Sequence, residues 1–287
     1  MLFSSLLLLL LAAVLHALAN VLMKKSQDKI AFAWWMLAVT VVLGSPAFFF
    51  IPDAPQRGWI FLIISGVLEA LYFLTLTRAY TSGDLSLVYP IARGSAQLFL
   101  LLWAVVFLKE HPTRLALLGI ACVIVGLYLI NLPSIHAWSR PLHAFRTAAS
   151  RWALLTGILI STYTAVDKVG IQYFPPFIYI YFALFVCLIC LSILWFIPQR
   201  RAALIQEPKN KRIYAVTAGA LFGTAGYTLV LAALKISPAS YVGPVREVSV
   251  VIGTWIGIRF LSEQGGWLRL VASALVVLGI IFITVFG

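Results

Sequence analysis

The sequence predicts an all-α integral membrane protein: ten transmembrane helices arranged as two inverted five-helix repeats. Three observations carry that expectation. The 287 residues are 62% hydrophobic and 10% charged, with a mean hydropathy of +1.02. Soluble domains average about 45–50% apolar and about 25% charged, so this chain lacks the polar residues a water-facing surface needs. The apolar residues fall in runs close to the ~20 needed to cross a bilayer, too long and continuous for strands. Landmark residues of the first half also recur in the second.

Taken in order, the first segment, Phe3–Met23, opens on a leucine run. It lacks a charged leader and a convincing small-residue cleavage site, so it reads as a retained span, not a signal peptide. His16, Asn20 and Lys24 follow at i, i+4 and i+8 and share one face. Three polar groups on one face of an apolar helix point toward a bundle or cavity. The second segment, Phe32–Ile51, carries Trp34 and Trp35 near its start, as an interfacial belt would. The third, Trp59–Tyr80, holds Glu69 near mid-span with Tyr72, Phe73 and Arg78. A carboxylate at that depth is protonated, paired or wet.

The fourth segment, Ser86–Leu108, follows Gly83-Asp84-Leu85 and contains Pro90 and Arg93. A charge at the helix centre costs at least ~2.5–3.5 kcal/mol, so it faces a cavity or a partner. Tyr89, Arg93 and Gln97 form a polar stripe, and Trp103 lies deeper. The fifth, Leu115–Leu132, carries Gly119 and Gly126. The charged stretch at residues 133–151 divides the chain into a first repeat, 1–132, and a second, 152–287.

The sixth segment, Trp152–Val169, places Tyr163 and Asp167 on one face, beside Thr164 and Lys168. The seventh, Pro175–Ile197, contains Cys187 and Cys190. Like Cys122, these read as small buried hydrophobes, with no disulfide and no metal site implied. The eighth, Tyr214–Leu234, carries Gly219-x-x-x-Gly223, Gly226 and Tyr227, a close-packing face. The stretch from 198 to 212 before it reads as a loop. The ninth, Ser240–Leu261, has Pro244, Arg246 and Glu247, with Trp255 deeper. The tenth, Leu268–Phe286, has Ala272 and Gly279.

The repeat register is set by Phe107-Leu108-Lys109-Glu110 against Phe260-Leu261-Ser262-Glu263. It superposes Arg93 on Arg246, Gly119 on Ala272 and Gly126 on Gly279. Asn20 matches Thr164, and Lys24 matches Lys168. Five helices per repeat is odd, so the second copy enters from the opposite side. Side B, holding the 1–2, 3–4, 5–6, 7–8 and 9–10 loops, collects most of the lysines and arginines. The positive-inside rule then makes it cytoplasmic. The net charge of +12 is topogenic on this reading and implies no nucleic acid.

Two guanidiniums suit a carboxylate, phosphate or phosphonate, because each offers a bidentate fork. Candidate substrate-binding residues are Arg93, His16, Asn20, Tyr89, Gln97, Trp103, Tyr163, Arg246, Glu247 and Tyr227. Glu69 and Asp167 are the proton-coupling candidates. Adjacent helical residues do not face each other, which favours Asp167 over Glu247 as the partner of Arg246. No metalloprotease, nucleophile-elbow or P-loop motif occurs, so no enzyme and no cofactor are expected.

The ten segments, the Leu-x-Glu that ends the fourth and ninth, and the glycine-bearing fifth and tenth resemble the drug/metabolite transporter superfamily, EamA type. His16-Ala17-x-x-Asn20, Tyr89-Pro90-x-x-Arg93-Gly94 and Arg246-Glu247 resemble one bacterial branch, some members of which are labelled phosphonate-associated. The resemblance implies alternating access around a cavity built from helices 1, 3, 4, 6, 8 and 9. It also implies a small metabolite as cargo and residence in a cell membrane, such as a bacterial inner membrane. Many members carry tryptophan before the asparagine of the first helix; here that residue is Ala19.

The expectation is a secondary carrier for a small anionic or zwitterionic metabolite, proton-coupled through one of its carboxylates, working as a monomer or homodimer among membrane lipids. The helix pairs 3–4 and 8–9 would rock, with breaks at Pro90 and Pro244 supplying flexibility. Alternatives are a lipid flippase and a carrier for a cationic or aromatic metabolite.

Overall fold

Apolar runs of this length satisfy their backbone within helices, and in the computed structural model of the chain helices make up most of the described residues, with no strand among them. It describes residues 1, 3–24, 26–82, 85–130, 147–209, 212–260 and 267–287, with backbone alone at 24, 85–87, 89–90, 253 and 256–260. The helices are α1 (Phe3–Lys24), α2 (Lys29–Leu43), α3 (Gln56–Ser82), α4 (Leu85–Val106), α5 (Arg114–Ile130) and α6 (Ala148–Gly170). They continue as α7 (Pro176–Leu191), α8 (Pro198–Gln206), α9 (Arg212–Ile236), α10 (Ala239–Arg246), α11 (Val248–Phe260) and α12 (Trp267–Phe286). Short 3-10 turns at Ser45–Phe50 and Ser192–Phe196 extend α2 and α7. Among the described residues, five helical stretches are long and apolar enough to cross a membrane: Phe3–Met23, Gln56–Ser82, Pro176–Phe196, Arg212–Ile236 and Trp267–Phe286. Lys29–Leu43, Ile91–Val106 and Arg114–Ile130 are apolar but shorter.

Contacts between the two halves come in pairs related by their exchange: α5 and α12 are equivalents, and the α3–α6 contact is the counterpart of α1–α9. α5 packs on α12, α3 on α6 and α1 on α9. Gly119 lies against Gly279, where a Cβ on Gly119 would sit 2.6 Å from the Gly279 carbonyl oxygen. Gly126 lies against Ala272 and Val276, a Cβ there meeting Val276 Cγ2 at 2.5 Å. The numbering runs in opposite directions across this contact, so α5 and α12 are antiparallel. Exchanging the halves turns the first contact into the second, as a pseudo-two-fold axis through the α5–α12 seam requires. The small residues let the backbones approach.

The end of the bundle where α1 begins (end A) is tied closed. The Met1 amine donates to the Gly287 carbonyl (2.6 Å). Lys168 Nζ donates to the carbonyls of Leu234 (2.6 Å) and Ser237 (2.8 Å) at the end of α9. Glu110, in the α4–α5 connection, accepts from the Ala239 and Ser240 amides (2.7 and 3.0 Å) and from Ser240 Oγ (2.6 Å). That carboxylate caps α10, supplying the acceptor its first N–H groups lack and opposing the helix dipole. Lys109, just before it, has φ +57°, an uncommon conformation for a non-glycine residue.

Two sequence expectations change here. α4 runs uninterrupted through Pro90. Pro244 sits close to a true break: α10 ends at Arg246, Glu247 donates its N–H to the Pro244 carbonyl (3.1 Å), and α11 starts at Val248. The second change is α8, a short helix inside the stretch read as a loop. It crosses the opposite end (end B), where Trp35 Nε1 donates to the Leu204 carbonyl (2.7 Å) and Arg200 pairs with Asp28 (3.2 Å).

A central polar cavity as candidate functional site

The faces of α1, α2, α3, α4, α6, α7, α9, α10 and α11 enclose a central cavity of about 200 Å³. Its polar lining comes from His16 and Asn20 on α1, Thr40 on α2, Glu69 and Tyr72 on α3, and Arg93 on α4. Tyr163 on α6, Thr224 and Tyr227 on α9, Arg246 on α10 and Ser249 on α11 complete it. Met23, Ala33 and Met36 line it toward end B, and Asn20 is exposed. At the other end the whole of α10 is buried. The cavity is therefore open toward end B and closed toward end A.

Each polar residue is placed by a local cause. Gly226 leaves the space His16 occupies: a Cβ there would lie 2.9 Å from His16 Cδ2. Gly219 and Gly223 face Met36 on α2 in the same way. Gly243 lets α10 press on α4, where a Cβ would meet Leu100 and the Gln97 amide oxygen. Four rings form a continuous wall. His16 and Tyr227 have centroids 6.4 Å apart, Tyr227 and Tyr163 6.2 Å, and Tyr163 and Tyr72 5.9 Å.

The charges sort into three groups. Glu247, fully buried, receives Arg93 Nη1 at 3.1 Å and Gln97 Nε2 at 3.0 Å, while Arg246 Nε lies 3.9 Å from the same oxygen. The pairing of Arg246 is a correction: Glu247, and not Asp167, stands beside it. The rule that neighbouring helical residues face apart fails because the helix breaks between them. Asp167, also fully buried, accepts from Ser65 Oγ (2.5 Å), Tyr179 OH (2.9 Å) and Tyr227 OH (2.6 Å). Glu69 is 6% exposed, and its Oε2 has no hydrogen-bond partner among the described residues.

Of the candidate residues, the structure brings Arg93, His16, Asn20, Tyr163, Tyr227, Arg246 and Glu69 to one cavity. Glu247 and Asp167 stand behind that lining and bind Arg93 and Tyr227 of it, and Gln97 donates to Glu247. Trp103 is turned away, its indole donating to Ser161 Oγ (3.1 Å) and its ring packed on Phe99 and Phe107. Trp255, expected to lie deep, is 60% exposed. The side chains of Tyr89 and Lys24, and Glu263 of the second landmark, lie outside the described residues. Met36, Thr40, Phe73, Thr224 and Ser249 were not foreseen as lining. α2 and α7 also join the six helices the resemblance implied. Among the described residues no group of His, Cys, Asp and Glu is arranged to hold a metal ion.

Fold and site together define a helical membrane protein made of two repeats around one polar cavity. A model described as the EamA-like transporter family matches residues 3–132 and again residues 148–285. The chain belongs to that family of membrane transporters, and through it to the drug/metabolite transporter superfamily. A solved structure titled "Crystal structure of protein" shares the fold, with a TM-score of 0.74 and 15% identity over 99% of this chain and 99% of its own. No curated protein matches.

Proposed function

We propose that the protein is a secondary active transporter moving a small anionic or zwitterionic metabolite by alternating access. One observation carries the reading: Arg93 and Arg246, from equivalent positions of the two repeats, both line one cavity. Glu247 Oε1 stands beside both guanidiniums, 3.1 Å from Arg93 and 3.9 Å from Arg246. Guanidiniums in that setting suit a carboxylate, phosphate or phosphonate. The sealed end A and open end B are what one state of a rocking carrier presents.

On this reading the chain crosses the membrane ten times, in two inverted halves. α10 and α11 make one broken span, α8 lies along end B, and the remaining helices cross once each. Support comes from the antiparallel α5–α12 seam. The meeting of Met1 with Gly287 adds to it, since an even number of crossings brings both ends to one face. The loop lysines and arginines on end B make that end cytoplasmic, so the cavity faces inward. Glu69 and Asp167 are the sites where a coupling proton would sit.

The test is uptake into proteoliposomes of a labelled panel of amino acids, their N-acylated forms and aminophosphonates. Arg93→Ala is expected to abolish uptake of any panel member the native protein carries, while folded protein remains in the membrane. Normal transport by that variant contradicts the assignment. A cationic or aromatic cargo is the second reading, favoured by Glu69 and the four-ring wall.

A further inference from the structure

Building on the carrier reading, we infer that Glu69 is the cation-recognising pole of the site, so that the cargo is a zwitterion bearing both an ammonium and a carboxylate or phosphonate. Four carboxylates are buried among the described residues, and they differ in how they are satisfied. Asp167 takes three hydroxyl donors. Glu247 takes a guanidinium and an amide on Oε1, its Oε2 having no donor among the described residues, and Glu207 takes the Asp28 amide on Oε2; neither lines the cavity. Glu69 lines the cavity, yet its Oε2 is buried with no donor among the described residues. A buried polar atom without a partner costs about 1–3 kcal/mol, and a cargo N–H aimed at this oxygen removes that cost.

The surroundings fit an ammonium. Tyr72 and Phe73 follow Glu69 at i+3 and i+4, so their rings stand on the same face of α3 one turn away. Both line the cavity, and aromatic faces attract a cation. The guanidiniums of Arg93 and Arg246 enter from α4 and α10, where Glu247 holds them. Neither forms an ion pair with Glu69 among the described residues, so the cavity carries two separate poles of opposite sign. A dicarboxylate would place negative charge against Glu69. A plain cation would meet the two guanidiniums that line the other side of the cavity. An amino acid or aminophosphonate satisfies both poles at once.

Isothermal titration of the purified carrier tests this with alanine, phenylalanine and 2-aminoethylphosphonate, each beside its N-acetylated counterpart. The expected result is that the native protein binds at least one zwitterion about 10–100-fold more tightly than its acetylated form, the range set by a hydrogen bond to a charged group. Glu69→Gln is expected to erase that preference, and Glu69→Asp to keep part of it, which separates recognition from a folding defect. Equal binding of acetylated and free forms, or an unchanged ratio in Glu69→Gln, overturns the inference and leaves an anion carrier standing. Binding of no zwitterion and no anion overturns both it and the proposed function.

Discussion

Glu247 is the residue on which the arginine site depends. Guanidiniums in an apolar bundle require counter-charge, and among the described residues Glu247 stands beside both the part-buried Arg93 and the buried Arg246. Removing one member of a buried ion pair costs about 3–5 kcal/mol, because the other is left uncompensated. Glu247→Ala is therefore expected to lower the melting temperature of the purified protein more than Arg93→Ala does, since it removes the carboxylate that stands beside two guanidiniums. Equal or higher stability would show that the guanidiniums find other partners. At this scale the sequence is readable where a residue is improbable in its setting. A histidine, a carboxylate and two arginines stand out inside apolar runs, and all of them line the cavity. Met36, Thr40 and Ser249 are ordinary in apolar helices, so nothing marks them. Trp103 was misplaced for a geometric reason. Ten residues past Arg93, it lies about a quarter turn off that residue's face, and periodicity alone does not say which faces the bundle buries.

Among the elements, α10 couples the cavity to the closed end. Its last residue, Arg246, lines the cavity, and its first two amides are held by Glu110. Eight residues of helix make a stiff link about 12 Å long. Glu110→Ala should free the N-terminus of α10 and loosen end A. A cysteine at Ala239, fully buried in the native protein, is expected to resist a water-soluble maleimide and to become reactive in the Glu110→Ala background. Protection unchanged by that substitution would mean that the cap does not hold the end closed. The glycine seams make a second element-level prediction. A Cβ on Gly157 would lie 2.7 Å from the Ala92 carbonyl oxygen on α4. Gly157→Val is expected to cut the yield of folded protein sharply, while Gly94→Ala, with open space around the added methyl, should leave it unchanged. Most elements were legible from hydropathy and punctuation. α8 was not, because its nine residues include two arginines and two glutamines and carry no apolar run.

For the whole molecule, the account rests on two halves related by a pseudo-two-fold axis, with a cavity at their junction that opens at one end. The duplication could be read from the sequence, because Arg93 and Arg246 share a register with the glycines of the fifth and tenth segments. The asymmetry could not. Which end is closed depends on contacts such as Lys168 to Ser237 and Glu110 to Ser240, made between residues far apart in the chain. A cysteine replacing Met36 is expected to react with an impermeant maleimide added from the side of end B and not from the other side. Labelling from neither side would point to a sealed core, and labelling from the side of end A would reverse the state described.

The central claim is that the cavity selects its cargo through the paired arginines. The most direct measurement is thermal stabilisation of the purified protein across amino acids, N-acylated amino acids, phosphonates, dicarboxylates and quaternary amines, repeated in Arg93→Ala. A ligand at 100 times its dissociation constant adds about 2.7 kcal/mol, enough to shift the melting temperature visibly. The account predicts stabilisation by compounds carrying a carboxylate or phosphonate, lost in Arg93→Ala. Stabilisation by quaternary amines alone, retained in that variant, would contradict it.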